Sequence, residues 1–249
     1  MLRHYLGMLP RVLWKLFFVL NFIVGLVLLY PFFAILLSGK KKNYNRAFRL
    51  MRFLARWVLF LPGIVVKIKW EVPEEEIPHP CVYVANHSSY LDTVISYVIL
   101  SKLFVQMGKA EIQKAPLLRI FFRDMNIYVD RKSRTGSYAA FREASERLQQ
   151  GQSVFIHPEA TIEAKGQLKP FKNGAFRLAI ENQVPVVPIT YLGNWKLLQN
   201  GGFFKASGRP GIARVVVHAP VPTTGMTEED LVPLRHRVRE TIAQTLRQP

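Results

Sequence analysis

The chain has 249 residues, 49% of them hydrophobic, so it can bury a sizeable core as one domain with an appendage. Its formal net charge of +17 predicts an anionic partner: a membrane surface, a nucleic acid or a phosphorylated substrate. The single cysteine, Cys81, excludes an internal disulfide and a cysteine-based zinc site. We expect a buried, inert thiol, which is consistent with a reducing, cytoplasmic location.

Positive charge is concentrated at the N-terminus. No acidic residue precedes Glu71, whereas basic residues recur from Arg3 to Lys69 between long apolar runs. This mixture is typical of a chain that lies against anionic lipid. A nucleic-acid-binding protein more often carries a zinc or helix-turn-helix signature, and the sequence has none, so no nucleic-acid partner is expected.

The first apolar segment runs from Leu16 to Leu37 without a charge and ends at Gly39 and Lys40 to Lys42. As a helix it would be roughly 33 Å long, about the thickness of the hydrocarbon core of a bilayer. A signal peptide is disfavoured because the run is too long and no small-residue cleavage site follows it. Cations flank the run on both sides, so the positive-inside rule leaves its topology open.

The second segment, Tyr44 to Leu61, has apolar and basic residues at helical spacing, and Pro62-Gly63 ends it. It predicts an amphipathic helix whose arginines reach lipid phosphates. Residues 1–62 are therefore predicted to form a membrane-associated helical hairpin, with residues 63–249 as the second domain. Two core helices of a soluble domain are the alternative.

Residues 63–249 alternate short apolar runs with helical patterns, which indicates an α/β domain with a mixed, largely parallel sheet flanked by helices. Val65 to Val72 alternates strictly and predicts an edge strand. The other predicted strands are 81–85, 103–107, 126–129, 153–157, 184–191 and 212–219. The predicted helices are 90–100, 116–122, 136–149, 174–181 and 228–246. In such sheets, sites lie beyond the carboxyl ends of the strands.

His87 and Asp92 form the first polar cluster at such a strand end. Ser89 is a good N-cap and Asp92 stands at the third helical position, so a capping box explains the aspartate without any catalytic role. The cap also turns the helix back toward the strand exit, where Asp92 can meet His87. An imidazole oriented by a carboxylate is a general base, as in a catalytic triad without its serine.

Three further clusters follow. Arg131 ends the strand that begins at Asn126 and could bind a phosphate, although a solvated turn explains it equally well. Glu159 and Thr161 follow the next strand, and Lys172 precedes a helix start that favours anions, where Asn173 and Gly174 can also serve as plain caps. Pro185 and Pro188 interrupt an apolar run, so that run should lie at a strand start, an edge or a bulge.

In this order and spacing, four blocks resemble the glycerolipid acyltransferase family typified by 1-acyl-glycerol-3-phosphate acyltransferase. Asn86 to Asp92 resembles its N-H-x-S-x-x-D motif, and Asn126 to Arg131 resembles its second block. His157 to Thr161 resembles its F-P-E-G-T block, and Val184 to Ile189 its V-P-V-x-P-I block. The resemblance covers about residues 65 to 220 and is specific only for the four blocks together.

The resemblance implies an acyl thioester-dependent O-acyltransferase, with His87 as general base and Asp92 as its partner. The donor would be acyl-CoA or acyl carrier protein, used as a co-substrate without any tightly bound cofactor, and no metal ligand is expected. The acceptor would be a lysolipid, with 1-acyl-glycerol-3-phosphate as the default and phosphatidic acid as the product. The protein would be bound to the inner or cytoplasmic membrane, with the catalytic domain on the cytoplasmic side. The candidates for substrate binding are Asn86, Ser89, Arg131, Glu159, Thr161 and Lys172.

The sequence departs from the family pattern at Met125, His157, Ala160 and Ile162. Ile162 replaces an arginine and removes one expected phosphate contact, of a kind that contributes about 1.5–3 kcal/mol. Either Lys165, Lys169 or Lys172 replaces it, or the acceptor is a lysolipid without a phosphate monoester, such as a lyso-aminolipid. His157 is interpreted as a strand-end substitute for an aromatic residue. A non-enzymatic protein that binds membrane surfaces or nucleic acid is the alternative from another class.

Overall fold

The structure is a computed structural model, and it describes residues 2–38, 43–111, 115–130, 133–163 and 165–247. The side chains of residues 2–8, 116 and 122–124 also lie outside this description. Five residues named above therefore lie outside the described residues: Gly39, Lys40, Lys41, Lys42 and Arg131.

Seven α-helices and seven strands alternate along the described part of the chain. The helices are α1 (Leu2–Leu37), α2 (Tyr44–Phe60), α3 (Tyr90–Ile99), α4 (Pro116–Asp124), α5 (Arg134–Gln149), α6 (Gly174–Glu181) and α7 (Leu231–Arg247). The strands are β1 (Ile64–Trp70), β2 (Val82–Ala85), β3 (Phe104–Lys109), β4 (Ile127–Val129), β5 (Ser153–Ile156), β6 (Val186–Leu192) and β7 (Gly211–Val217).

The strands form one sheet in the order β1-β7-β6-β2-β5-β3-β4. Every neighbouring pair is parallel except β6 and β7, which are antiparallel. The predicted fold class, a mixed and largely parallel sheet flanked by helices, is confirmed. β1 lies at one edge of the sheet, as its alternating sequence predicted.

Side chains of successive strand residues point to opposite faces, and both faces of this sheet are covered. Tyr83 and Ala85 on β2 pack into one core with side chains of α1 to α4. Val82 and Val84 pack into a second core with side chains of α5 to α7. The buried parallel strands are therefore short and uniformly apolar, as is usual when helices cover both faces.

Pro188 differs from the expectation that both prolines avoid strand interiors. Pro185 precedes β6, but Pro188 lies inside this central strand, beside Val84 of β2. Its carbonyl accepts a hydrogen bond from the His218 backbone N–H, 3.0 Å away, at the end of the antiparallel ladder with β7. A proline at the end of a ladder forfeits only one hydrogen bond, which explains why the interior strand tolerates it.

Helices α1 and α2 pack closely against each other. A Cβ atom on Gly25 would lie 2.8 Å from Leu54 Cδ1, so glycine allows the close approach. Asn21, the polar interruption of the apolar run, is buried between the helices, where its Oδ1 accepts from Trp57 Nε1 at 2.8 Å. Arg52 departs from the predicted lipid-facing role because its Nε donates to Tyr97 O on α3, 3.2 Å away.

The proposed division at residues 62 and 63 stays a prediction. The first core is continuous across it, since Phe33 of α1 and Val58 of α2 belong to the same cluster as Tyr83 of β2. Phe33 also meets Phe121 of α4 edge-to-face, with ring centroids 4.6 Å apart. The helical N-terminal segment and the sheet are therefore packed through one hydrophobic core.

Candidate active site

Three strand ends bring the polar clusters together. β2 lies between β5 and β6 and is parallel to both, so the carboxyl ends of the three strands share one edge of the sheet. The segments that follow them begin at Asn86, His157 and Gly193. Strand ends that carry polar side chains at a common edge are the usual place for a site in such folds.

Asp92 is the most fully engaged carboxylate at this edge. It has no exposed surface, and its Oδ2 accepts from the backbone N–H groups of Ser88 and Ser89 at 2.7 and 2.9 Å. The same atom lies 3.1 Å from Nδ1 of His87. Its Oδ1 accepts from Nδ2 of Asn194 at 2.8 Å. The predicted capping box is present, and it also brings Asp92 to the imidazole.

His87 is held through its backbone as well as its ring. Its N–H donates to Oε1 of Glu159 at 2.8 Å, and its carbonyl accepts from the N–H of Glu163, also at 2.8 Å. The side chain is 15% exposed. With Nδ1 turned to Asp92, Nε2 is the ring atom that can accept a proton from a substrate. This arrangement of His87 and Asp92 is the geometry that a general base requires.

His157 stacks on the candidate base. The imidazole rings of His157 and His87 are 4.0 Å apart between centroids and 12° from parallel. Nδ1 of His157 lies 3.2 Å from the carbonyl oxygens of both Ala85 and Asn86, an arrangement that favours a proton on this nitrogen. Phe155 meets His157 edge-to-face at 5.2 Å. His157 thus occupies an aromatic position, as the sequence interpretation had it.

Glu159 is buried beside this pair. Its Oε1 accepts from the His87 N–H, and its Oε2 accepts from the N–H of Lys169 at 3.0 Å. Burial raises the pKa of Glu159 to about 7, and the negative charge of Asp92 adds to this, whereas the two N–H donors oppose it. Both oxygens are directed to the backbone, so the structure brings Glu159 to the site as a support for His87.

Asn86 and Ser89, which the sequence placed among the substrate-binding candidates, also make backbone contacts. Asn86 pairs with the backbone of Tyr191: its Nδ2 donates to the carbonyl at 3.0 Å and its Oδ1 accepts from the N–H at 2.8 Å. Ser89 Oγ accepts from Leu91 N at 3.1 Å and donates to Leu198 O at 2.6 Å. Both side chains are buried and tie neighbouring elements together.

A cavity of about 240 Å³ begins beside His157. Its walls include Met107, Phe141 and Leu178, which are apolar, and its rim includes Lys172. Lys172 is exposed, as is Thr161 on the neighbouring loop. Apolar walls of this kind suit a hydrocarbon chain.

The lysines that could replace the missing arginine have different surroundings. Lys169 Nζ is paired with Glu163 Oε2 at 3.0 Å, so its charge is already neutralised. Lys165 and Lys172 are exposed. Ile162 is half-buried in the same loop. Arg131, the other phosphate candidate, lies outside the described residues.

Sequence reasoning missed Asn194. It stands 102 positions from Asp92, in a short helical turn after β6, and has no exposed surface. Gly193 before it has a φ of 75°, and the two residues follow the apolar strand as a Gly-Asn turn signal. That signal indicated a turn but gave no indication of its distant partner.

A metal site is not formed by the described residues. Within 2–38, 43–111, 115–130, 133–163 and 165–247, no three His, Cys, Asp or Glu side chains are grouped so that they could hold an ion. Cys81 is buried, and burial raises the pKa of its thiol to about 11, so the thiolate is strongly disfavoured.

Known proteins resemble this chain along most of its length. Human 1-acyl-sn-glycerol-3-phosphate acyltransferase alpha is 29% identical over 242 residues, which cover 94% of this chain and 82% of that protein. The chloroplastic 1-acyl-sn-glycerol-3-phosphate acyltransferase BAT2 of Brassica napus is 34% identical over 143 residues, 57% of this chain and 41% of that longer protein.

The same fold occurs in a solved structure. The crystal structure of the 1-acyl-sn-glycerophosphate acyltransferase PlsC from Thermotoga maritima aligns with a TM-score of 0.77 at 24% identity, over 96% of this chain and 95% of that one. The family model described as Acyltransferase matches residues 66–192, half of the chain, including most of β1, the His87 and Glu159 segments and β6. The chain therefore belongs to the acyltransferase family.

Proposed function

We propose that the protein is a membrane-bound O-acyltransferase that moves a fatty acyl group from an acyl thioester to the free hydroxyl of a lysolipid. The default acceptor is 1-acyl-glycerol-3-phosphate, and the product is then phosphatidic acid. The observation that carries the proposal is the His87–Asp92 pair, 3.1 Å apart, with a fully buried aspartate. Relatives named 1-acyl-sn-glycerol-3-phosphate acyltransferase support the choice of acceptor.

His87 serves as the general base in this proposal. Its Nε2 takes the proton of the acceptor hydroxyl as the oxygen attacks the thioester carbonyl. The tetrahedral intermediate then expels the thiolate, the C–S bond breaks, and His87 returns the proton to the sulfur. An ester and a free thiol are formed, and no covalent acyl-enzyme is needed. Asp92 keeps the proton on Nδ1 and stabilises the imidazolium.

The cavity beside His157 is the proposed site of the acyl chain. Its walls are mostly apolar, which suits a hydrocarbon, and His157 is among the residues that line it. The donor is acyl-CoA or acyl carrier protein, since both are anionic and the chain is strongly basic. Lys172, exposed on the rim, and Arg131 are the proposed partners of an acceptor phosphate.

Membrane attachment is assigned to α1. Leu9–Leu37 is long and apolar enough to cross a membrane, by length and composition. We place the α/β domain on the cytoplasmic side of the inner or cytoplasmic membrane, where the thioester donors are found.

Replacing His87 with alanine tests the mechanism. His87→Ala should lower kcat by at least about 1,000-fold, because a general base and its oriented proton path are both removed. His236→Ala, an exposed histidine on α7, is the matched control and should keep wild-type turnover. Acyl transfer from a labelled thioester to lysophosphatidate is measured in mixed micelles. Wild-type turnover by His87→Ala would exclude this mechanism.

The second candidate function keeps the chemistry and changes the acceptor to a lysolipid without a phosphate monoester. Two observations favour it: Ile162 stands where the related motif has an arginine, and Lys169 is neutralised by Glu163. A panel of lysolipids, each incubated with the labelled donor and resolved by chromatography, distinguishes the two acceptors. The fastest consumption of lysophosphatidate contradicts this second candidate. Tight, salt-sensitive nucleic-acid binding without transfer to any lysolipid would instead support the non-enzymatic alternative.

A further inference from the structure

The segment from Gly193 to Arg209, between β6 and β7, joins parts of the molecule that are distant in sequence. It begins beside Asp92 and ends beside α1. We call it the 193–209 segment. Its contacts with the catalytic pair are made by Asn194 and Leu198, and its contacts with α1 are made around Phe203 to Gly208.

Asn194 is directed at Asp92. Its amide is fully buried, and Nδ2 donates to Asp92 Oδ1 at 2.8 Å. Among the described residues, its own Oδ1 accepts no hydrogen bond. A buried polar atom without a partner destabilises the folded state by about 1–3 kcal/mol, so an apolar residue would be more favourable at this position. The amide is explained by the one bond it makes, which fixes the second oxygen of the catalytic carboxylate.

Leu198 makes a second connection four residues later. Its carbonyl accepts from Ser89 Oγ at 2.6 Å, and Ser89 is the N-cap of α3. The same cap orients Asp92 at the third helical position. Asn194 and Leu198 therefore hold both ends of the capping box against the 193–209 segment.

Lys15 fastens the other end of the segment to α1. Its side chain is buried, and its ammonium group donates to the carbonyls of Phe203 and Ala206, the latter at 2.6 Å. The ammonium also lies 5.1 Å from the centroid of the Phe203 ring. Lys15 thus binds the loop instead of extending to lipid phosphates, which separates it from the exposed Arg11 on the same helix.

Gly208 makes this contact possible. A Cβ atom there would lie 2.4 Å from Lys15 Cγ and 3.2 Å from Trp14 Cε3, so the lysine stem crosses directly over the backbone. Only glycine leaves room for that crossing. Trp14 Nε1 donates to Pro62 O at 2.9 Å and fixes the same stretch of α1 against the start of the sheet.

We propose that Asn194 is a positioning residue for Asp92 and that Lys15 fixes the segment that carries Asn194. The position of α1 then determines how strictly Asp92 orients the imidazole of His87. This inference rests on the proposed function, because it concerns the orientation of the proposed general base. It assigns a role in orienting His87 to two further residues, Asn194 and Lys15, and Lys15 lies on α1.

The test compares Asn194→Leu with Lys15→Met, and it uses Arg11→Met as the matched control. Leucine has the same branched skeleton as asparagine but is larger and cannot donate, and Arg11→Met removes an equal charge from the exposed side of α1. Asn194→Leu should lower kcat about 10-fold or more and leave KM within about twofold, as expected when the partner of a catalytic group is removed. Lys15→Met should lower kcat in the same way, and Arg11→Met should not.

A second readout does not depend on turnover. The Nδ1 proton of His87 is hydrogen-bonded to Asp92 and should give a downfield resonance in the proton NMR spectrum, which His87→Ala removes. Asn194→Leu and Asn194→Ala should weaken or abolish this resonance, since neither side chain can donate to Asp92. Asn194→Ala serves if the leucine variant does not fold.

Several outcomes would overturn the inference. Wild-type kcat and an unchanged His87 resonance in both Asn194 variants would show that Asn194 does not position Asp92. Equal kcat values for Lys15→Met and Arg11→Met would show that Lys15 does not contribute to the orientation of Asp92. If the wild-type protein transfers no acyl group to any lysolipid, the proposed function fails, and the resonance alone still decides whether Asn194 positions His87 through Asp92.

Discussion

Ala160 has a φ of 57°, which places it in the left-handed region that side chains with a Cβ disfavour. The related family motif has a glycine at this position, and the sequence alone does not explain the departure. The backbone supplies one: the turn after Glu159 needs the left-handed conformation whichever residue is present. The alanine therefore carries conformational strain, which glycine would relieve.

Ala160→Gly should raise the free energy of unfolding by about 0.5–1 kcal/mol. The relief of the left-handed strain exceeds the extra entropy that glycine gives the unfolded chain. Chemical denaturation in detergent measures the change. Ala139→Gly, an exposed position inside α5, is the control and should lower stability by about 1 kcal/mol. A loss of stability in Ala160→Gly would show that the turn does not need the left-handed conformation in solution.

Glu159 gives the stability of the protein a defined dependence on pH. Burial raises its pKa to about 7 in the folded state, from 4.5 in the unfolded chain. The folded state therefore holds the proton more tightly, and the resulting stabilisation is complete below pH 4.5 and lost as the pH rises to 7. Relative to Glu159→Gln, the wild-type free energy of unfolding should fall by up to about 3 kcal/mol across this range.

Measuring the free energy of unfolding at several pH values between 4.5 and 8 checks this expectation. Taking the difference between wild type and Glu159→Gln cancels the titration of all other groups. Glu229→Gln, at an exposed position, is the control and should run parallel to wild type. A difference that stays flat, or rises with pH, would mean that the two N–H donors outweigh burial at Glu159.

At the scale of elements, periodicity predicted the interior of each helix and strand well. The bounds of α6 were predicted without error, because Gly174 and the short apolar pattern mark both of its ends. α1 is longer than its uncharged run, since it begins at Leu2 and continues through Pro10. Composition detects where apolar residues stop, whereas the backbone hydrogen bonds of a helix continue past that point.

The contacts between elements were only partly predictable. The meeting of His87 with Asp92 follows from local geometry, because a capping box spans only a few residues. Asn86, Ser89 and Glu159 were identified by motif, but their partners are backbone groups of Tyr191, Leu198 and Lys169. Such pairings depend on strand order and loop path, which a single sequence does not specify.

At the scale of the whole molecule, the exposed apolar surface is concentrated on α1. Leu20, Leu28 and Ile35 are 60%, 56% and 72% exposed, whereas the opposite side of the same helix is buried against α2 and the sheet. A contiguous apolar face of this length on a soluble protein would promote aggregation, so it requires a covering. Exposed arginines on α2, Arg46 and Arg49 among them, add attraction to an anionic surface.

Leu20→Asp should release the protein from membranes. Moving an aspartate to the middle of an apolar helix in lipid is disfavoured by about 3 kcal/mol relative to leucine, or roughly 100-fold in partitioning. Flotation with vesicles of mixed neutral and anionic lipid, at low and at high salt, measures the bound fraction. Val232→Asp, which places the same charge on the exposed side of α7, is the control and should float like wild type. Equal release of both variants would mean that added charge alone causes dissociation, and full retention of Leu20→Asp would mean that the exposed face of α1 does not contact lipid.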